Sequence, residues 1–259
     1  MKIFNKYLDI LAEGRQHIFV FDCEFWHVLS QPGDNVKLAG KDFFFLPRET
    51  GGFVLSKKSD GSWEYKNYFY ATFSRPRREV AMPISHFSTV TPSSAYKLDE
   101  IEKQLSVGWG EAFPSRLPPQ ERELWEQGVK IYESEPNIKE YHQPQSWNAK
   151  MMALFPTSMV VVKGRSDLDA MKNACQLYGL KWVEPSAIND IANWNTESRQ
   201  KCGSAKLEDT FKCVKDGFDD NIGGGMRLRD ILPLGKSHDP SVDASMTLLV
   251  AMYIISKGQ

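Results

Sequence analysis

Cysteine is scarce in this chain. The four present, Cys23, Cys175, Cys202 and Cys213, stand at spacings that make neither a disulfide framework nor a CxxC zinc site. A zinc half-site from Cys202 and Cys213 with His238 is the one thiolate option left. A reducing intracellular compartment, cytoplasm or nucleus, is the expectation. Long apolar runs are missing as well. The longest, 246–255, falls far short of the roughly 20 residues a membrane helix needs. The first residues, Met1-Lys2-Ile3-Phe4-Asn5-Lys6, lack the apolar core of a secretory signal. Neither a membrane role nor export is expected. No charge dominates: 32 Lys and Arg face 33 Asp and Glu, a net −1. The basic excess that advertises nucleic-acid binding is absent, although acids at a metal site would count against the total and be neutralised there. Gly223-Gly224-Gly225 has no Lys-Ser/Thr pair after it, so it makes no phosphate-binding loop.

Against these absences stand four carboxylates and a histidine: Asp22 and Glu24, then Asp167, then His238 and Asp243. The first two interrupt an apolar run of strand length, Phe19-Val20-Phe21-Asp22-Cys23-Glu24-Phe25-Trp26. Side chains two apart on a strand point the same way, about 7 Å from each other. Paired acids on one face of a buried strand repel and lose hydration, and a divalent cation relieves both effects. Taken alone they also suit a solvated strand end. Cys23, between them, faces the core.

Near the other end, Pro240 or Ser241 opens a helix that runs on into apolar sequence, and proline is tolerated in a first turn. His238 then lies just ahead of the helix and Asp243 in its first turn, so the two can converge. Singly, a first-turn acid favoured by the helix dipole and a loop histidine need no further explanation. Joined to Asp22 and Glu24 they suggest a shared site.

These motifs resemble one family. Phe21-Asp22-Cys23-Glu24, an Asp opening a mid-chain helix, and His238-x-x-x-x-Asp243-Ala244-x-x-Thr247 are similar to the DEDDh branch of the DnaQ-like 3′→5′ exonucleases, in the ribonuclease H-like superfamily. The strand–turn–helix run Val160 to Met171, the Trp182 to Ile188 segment and the Met226 to Gly235 segment extend the likeness, which covers residues 15–55 and 158–257. Pro47-Arg48-Glu49-Thr50-Gly51-Gly52-Phe53-Val54 looks like sequences of large-virus exonucleases. The chain departs from many relatives at Lys163-Gly164, where His-Asn or Gly-His stands, and Asp169 competes with Asp167. Ser166-x-x-Asp169 is a capping-box variant, so Asp167 is assigned to the metal and Asp169 to the helix end.

The resemblance implies hydrolysis of DNA or RNA from a 3′ end with two Mg²⁺ or Mn²⁺ ions. Asp22, Glu24, Asp167 and Asp243 would hold the ions, and His238 would act as general base. Phe25 and Trp26 could stack on the terminal nucleotide. Arg75, Arg77 and Arg78, beside the aromatic run 68–73, are candidates for phosphate contact, or a solvated loop after a core strand. The alternatives are an inactive ribonuclease H-like binding or scaffolding protein, and an endonuclease using the same site.

The expected fold is α/β, a ribonuclease H-like mixed central sheet with helices on both faces. Acids from both ends must meet, so one domain over 1–259 is expected, with an insertion at about 74–150. Extended segments are expected at 17–26, 43–46, 52–55, 63–73, 158–163 and 181–184. Helices are expected at 3–13, 97–106, 118–134, 148–154, 166–178 and 241–256, with a short amphipathic helix in 226–235.

Overall fold

Phe, Val, Ile and Trp crowd residues 17–29, side chains that fit a pleated, half-buried surface. In the computed structural model this stretch is the central strand, β1 (His17–Leu29). The structure describes residues 2–83, 111–133, 141–235 and 238–258. β1 pairs antiparallel with β2 (Phe43–Lys57), and β2 with β3 (Trp63–Thr72). Two short strands, β4 (Val80–Pro83) and β5 (Glu111–Ala112), continue the sheet from His27 and Val28. β6 (Ser158–Val162) lies parallel to the first residues of β1, and β7 (Ala187–Asp190) lies parallel to β6. The central sheet is therefore mixed, in the order β3-β2-β1-β6-β7.

Seven helices are present among the described residues: α1 (Lys6–Ala12), α2 (Pro119–Glu133), α3 (Pro144–Met152), α4 (Ser166–Leu177), α5 (Asn195–Cys202), α6 (Leu207–Val214) and α7 (Pro240–Lys257). Strand alternation sorts the core into two faces. Ile18, Val20, Phe53 and Leu55 pack with α1 and α7. Phe19, Phe21 and Cys23 pack with α3 and α4. α7 is buried from Pro240 through Tyr253, and its apolar body, Leu248 to Tyr253, is covered on every side as an all-apolar segment must be. At roughly 1.5–3 kcal/mol for each large apolar side chain buried, this packing fixes the helix far more firmly than the polar contacts at its start. None of these helices is long and apolar enough to cross a membrane.

One irregularity positions the site. Glu24 pairs with Glu49, but Phe25 pairs with Pro47, so Arg48 is an extra residue in β2. Proline cannot donate to a ladder and is tolerated at such a bulge. The bulge shifts the alternation of β2: Phe53, Gly51 and Glu49 share a face with Leu46 and Phe44.

Several sequence expectations are corrected. Residues 43–46 and 52–55 belong to one continuous strand, because Gly51 and Gly52 lie inside β2 and do not end it. The strand expected at 181–184 is at Ala187–Asp190; Pro185 has no N–H to give a ladder. Residues 226–235 hold a two-residue strand and a single 3₁₀ turn at Leu228–Asp230, since Pro233 disfavours helix before it. The third helix begins at Pro144, ahead of the expected 148. The helix expected at 97–106 lies outside the described residues. Cys202 and Cys213 are joined by a disulfide, with Cα atoms 5.8 Å apart. Two short helices, α5 and α6, bring them together, and the bond removes both sulfurs from any zinc site.

Candidate active site

β1 outruns β6: their pairing ends at Val20 and Val161. The Cys23 N–H on this open edge is taken by the Asp167 carboxylate at 3.0 Å. Asp167 sits in the first turn of α4 and is buried, 4% exposed. Asp169, two residues on, points elsewhere and pairs with Lys37 at 2.6 Å. No side chain caps the start of α4, so the capping-box reading of Ser166 and Asp169 does not hold.

Asp22 and Glu24 continue the α7 face of β1, and Gly51 and Glu49 stand opposite them in β2. Gly51 leaves room for the start of α7. Asp239 caps that helix by accepting the Ser241 N–H at 2.9 Å. In its first turn, Asp243 accepts the His238 N–H through Oδ2 at 3.1 Å. The other oxygen, Asp243 Oδ1, is buried with no hydrogen-bond partner. His238 has a left-handed backbone, φ 69°, a conformation costing a non-glycine residue about 1–2 kcal/mol. Its Nδ1 stands 3.7 Å from Glu24 Oε1. Ligand atoms of Glu24, His238 and Asp243 all lie within 4.8 Å of one another.

Burial, followed by the charges of Asp167, Asp243, Glu24 and Asp239, pushes the Asp22 carboxyl well above its ordinary range. Burial raises Asp167 to about 8, against the opposing Cys23 N–H. Burial likewise raises Asp243 to about 6. The Glu24 carboxylate raises the His238 imidazole. A set of crowded, desolvated carboxylates with an orphaned buried oxygen fits a hard divalent cation.

Other residues at this site were not assigned a role from sequence. Arg48, 2% exposed, places Nη2 3.5 Å from Glu24 and Nη1 3.1 Å from Glu49. Tyr70 donates its hydroxyl to Glu49 at 2.5 Å. Lys163 donates to the Ala205 carbonyl; burial lowers its pKa, while Asp190, Asp22 and Asp243 pull it up. Asp190 accepts the Gly164 N–H at 2.7 Å. The only sequence signal was the unusual Lys163-Gly164 pair. Arg48 becomes a site residue through the bulge, which no local pattern announces.

The candidate nucleic-acid residues divide. Phe25 is half-buried and stacked on Phe45, with ring centroids 4.5 Å apart. Trp26 packs among Trp125 of α2 and Ala174 of α4, is 1% exposed and donates Nε1–H to the Phe73 carbonyl at 3.2 Å. It is a core residue and offers no ring face to a nucleotide. Arg75 pairs with Glu126 and Arg78 with Asp34; Arg77 is exposed.

No family model matches the chain, and no curated protein matches it.

Proposed function

We propose that the chain is a metal-dependent 3′→5′ exonuclease of DNA or RNA, with a ribonuclease H-like fold and a DEDDh-type site. The observation that carries this reading is the gathering of Asp22, Glu24, Asp167, His238 and Asp243. They come from β1, the start of α4 and the start of α7, far apart in sequence, and meet where β1 outruns β6. The mixed sheet with helices on both faces agrees with the scaffold that the sequence resemblance implies.

Asp22, Glu24, Asp167 and Asp243 are the residues that would hold two Mg²⁺ or Mn²⁺ ions. Such ions supply charge neutralisation at the attacking and leaving oxygens and lower the pKa of water. Asp167 is held in place by the Cys23 N–H and Asp243 by the His238 N–H. Arg48 fixes the Glu24 carboxylate from behind. His238, largely exposed at the mouth of the site, would accept the proton of the attacking water, a general-base task for which histidine is the commonest side chain.

The test is incubation of purified protein with Mg²⁺ or Mn²⁺ on 3′-labelled and 5′-labelled single and double strands of DNA and RNA. Products shortening stepwise from the 3′ end are expected, and none in chelator. Internal cuts would make the enzyme an endonuclease, and no cleavage of any strand would refute a nuclease.

A further inference from the structure

A cavity of about 490 Å³ lies between the two ends of the 74–150 segment and the end of α4, lined by Arg75, Arg77, Arg78, Gln143, Gln145 and Tyr178, with Leu177 as further apolar wall. Among the described residues, no acidic side chain lines it. Glu126 and Asp34 hold Arg75 and Arg78 through one terminal nitrogen each, and a guanidinium carries five N–H donors. Arg77 is exposed and has no partner among the described residues. The first turn of α3 begins at this cavity, and Gln143 supplies no side-chain cap to it. The walls are therefore rich in donors and positive charge, with an aromatic ring at one side.

Its place relative to the acids gives it meaning. Tyr178 follows the end of α4, and Asp167 is in the first turn of that helix. At 1.5 Å per residue they are about 16 Å apart. A shared crevice also links the two places. Trp26, two residues beyond Glu24 in β1, lines a narrow crevice with Tyr178, Pro76 and Pro144, and the last three also line the cavity.

We propose that this arginine pocket is a subsite for the phosphodiester backbone of a nucleic-acid strand whose 3′ end lies at the acid cluster. The proposal rests on the nuclease reading for its substrate. A stacked strand advances 3.4 Å per nucleotide, so the two places are about five nucleotides apart. The pocket reads phosphate through Arg77 and the free donors of Arg75 and Arg78, and Tyr178 offers a face to a base. Strands shorter than this span reach the acid cluster alone, and longer ones occupy both places.

The experiment is fluorescence anisotropy with 5′-labelled single strands of two to twelve nucleotides, with Ca²⁺ in place of Mg²⁺ to hold the end without cutting. Wild type is compared with Arg77→Glu and with Lys215→Glu, an equal charge reversal at the exposed end of α6. Hydrolysis in Mg²⁺ or Mn²⁺ is measured separately. Wild-type affinity is expected to rise once strands exceed about five nucleotides. Arg77→Glu should abolish that rise, on the order of tenfold for long strands, and leave dinucleotides unchanged; Lys215→Glu should follow wild type. The salt dependence for long strands should also flatten in Arg77→Glu. Loss of the length effect in a protein that hydrolyses nothing keeps the pocket and removes the nuclease reading. Hydrolysis with identical binding by wild type and Arg77→Glu removes the pocket and keeps the nuclease. The proposal is also overturned if wild type binds no strand, if Arg77→Glu weakens all lengths equally, or if inorganic phosphate displaces long strands as well as a dinucleotide does.

Discussion

Gly51 of β2 lies so close to the start of α7 that a Cβ there would stand 2.5 Å from the Ser241 hydroxyl and 2.7 Å from the Ser241 nitrogen. Asp22 stands opposite Gly51 in the ladder, and the charge of Asp243 from that turn acts on it. Gly51→Ala should therefore push the first turn of α7 away from the sheet, at a cost of about 1–3 kcal/mol typical of an overpacked core. A lower urea midpoint with a smaller Mn²⁺-induced rise in Tm is the expected result. Unchanged values for both would mean that the contact does not position the site.

The acid cluster gives the metal-free protein a particular pH dependence. Asp22, Asp167 and Asp243 all have raised pKa values, with Asp167 at about 8 and Asp243 at about 6. The folded state therefore binds protons more tightly than the unfolded chain, whose carboxylates titrate near 4. Their contribution is full below about pH 4 and is lost as pH rises through about 6–8. In chelator, Tm should fall between about pH 5 and 8. Mn²⁺ should restore it, and by more at pH 8, because ligands must shed their protons to bind. Equal metal-induced shifts at both pH values would contradict this linkage.

Asp22→Asn should separate stability from activity. Removing one charge from the cluster relieves repulsion, so metal-free Tm at pH 8 should rise. Turnover should fall at least about a hundredfold, or roughly 3 kcal/mol of transition-state stabilisation. Asp169→Ala, which breaks a partly exposed pair with Lys37, should keep its turnover and change stability by no more than about 1 kcal/mol. An active Asp22→Asn or a dead Asp169→Ala would each require a different set of ligands.

His238 combines an exposed imidazole with a left-handed backbone. His238→Ala and His238→Gly should both lower the chemical rate by about 10²–10⁴, the range for a lost general base. His238→Gly should be the more stable of the two, since glycine adopts positive φ without strain. In wild type the rate should rise with pH through the imidazole titration, and that limb should be flat in both variants. Loss of metal affinity in proportion to rate would make the histidine a ligand.

Denatured without reductant, the protein should yield two titratable thiols, from Cys23 and Cys175, and four after reduction. Four thiols before reduction would show that Cys202 and Cys213 are unpaired.

Much of the framework was legible because its signals are local. Alternation placed Asp22 and Glu24 on one face, and the proline before Ser241 marked the start of α7. Non-local consequences were harder to read. Trp26 follows Glu24 in register, yet whether it is covered depends on Phe73 and α2, which a strand pattern does not locate. The Cys202–Cys213 bond depends on how α5 and α6 fold back on each other. Arg48 follows a proline with no local pattern to assign it, and the bulge turns it inward between Glu24 and Glu49.

The burial of α7 has a consequence for the order of events during synthesis. β1, with Asp22 and Glu24, emerges from the ribosome more than two hundred residues before His238 and Asp243. Until residues 240–257 follow, the sheet face beneath them is uncovered and the acids of β1 have no counterpart from α7. The same helix closes this core and completes the acid cluster. A partly made chain therefore has neither, and the buried core face and the gathered acids are completed together when α7 docks.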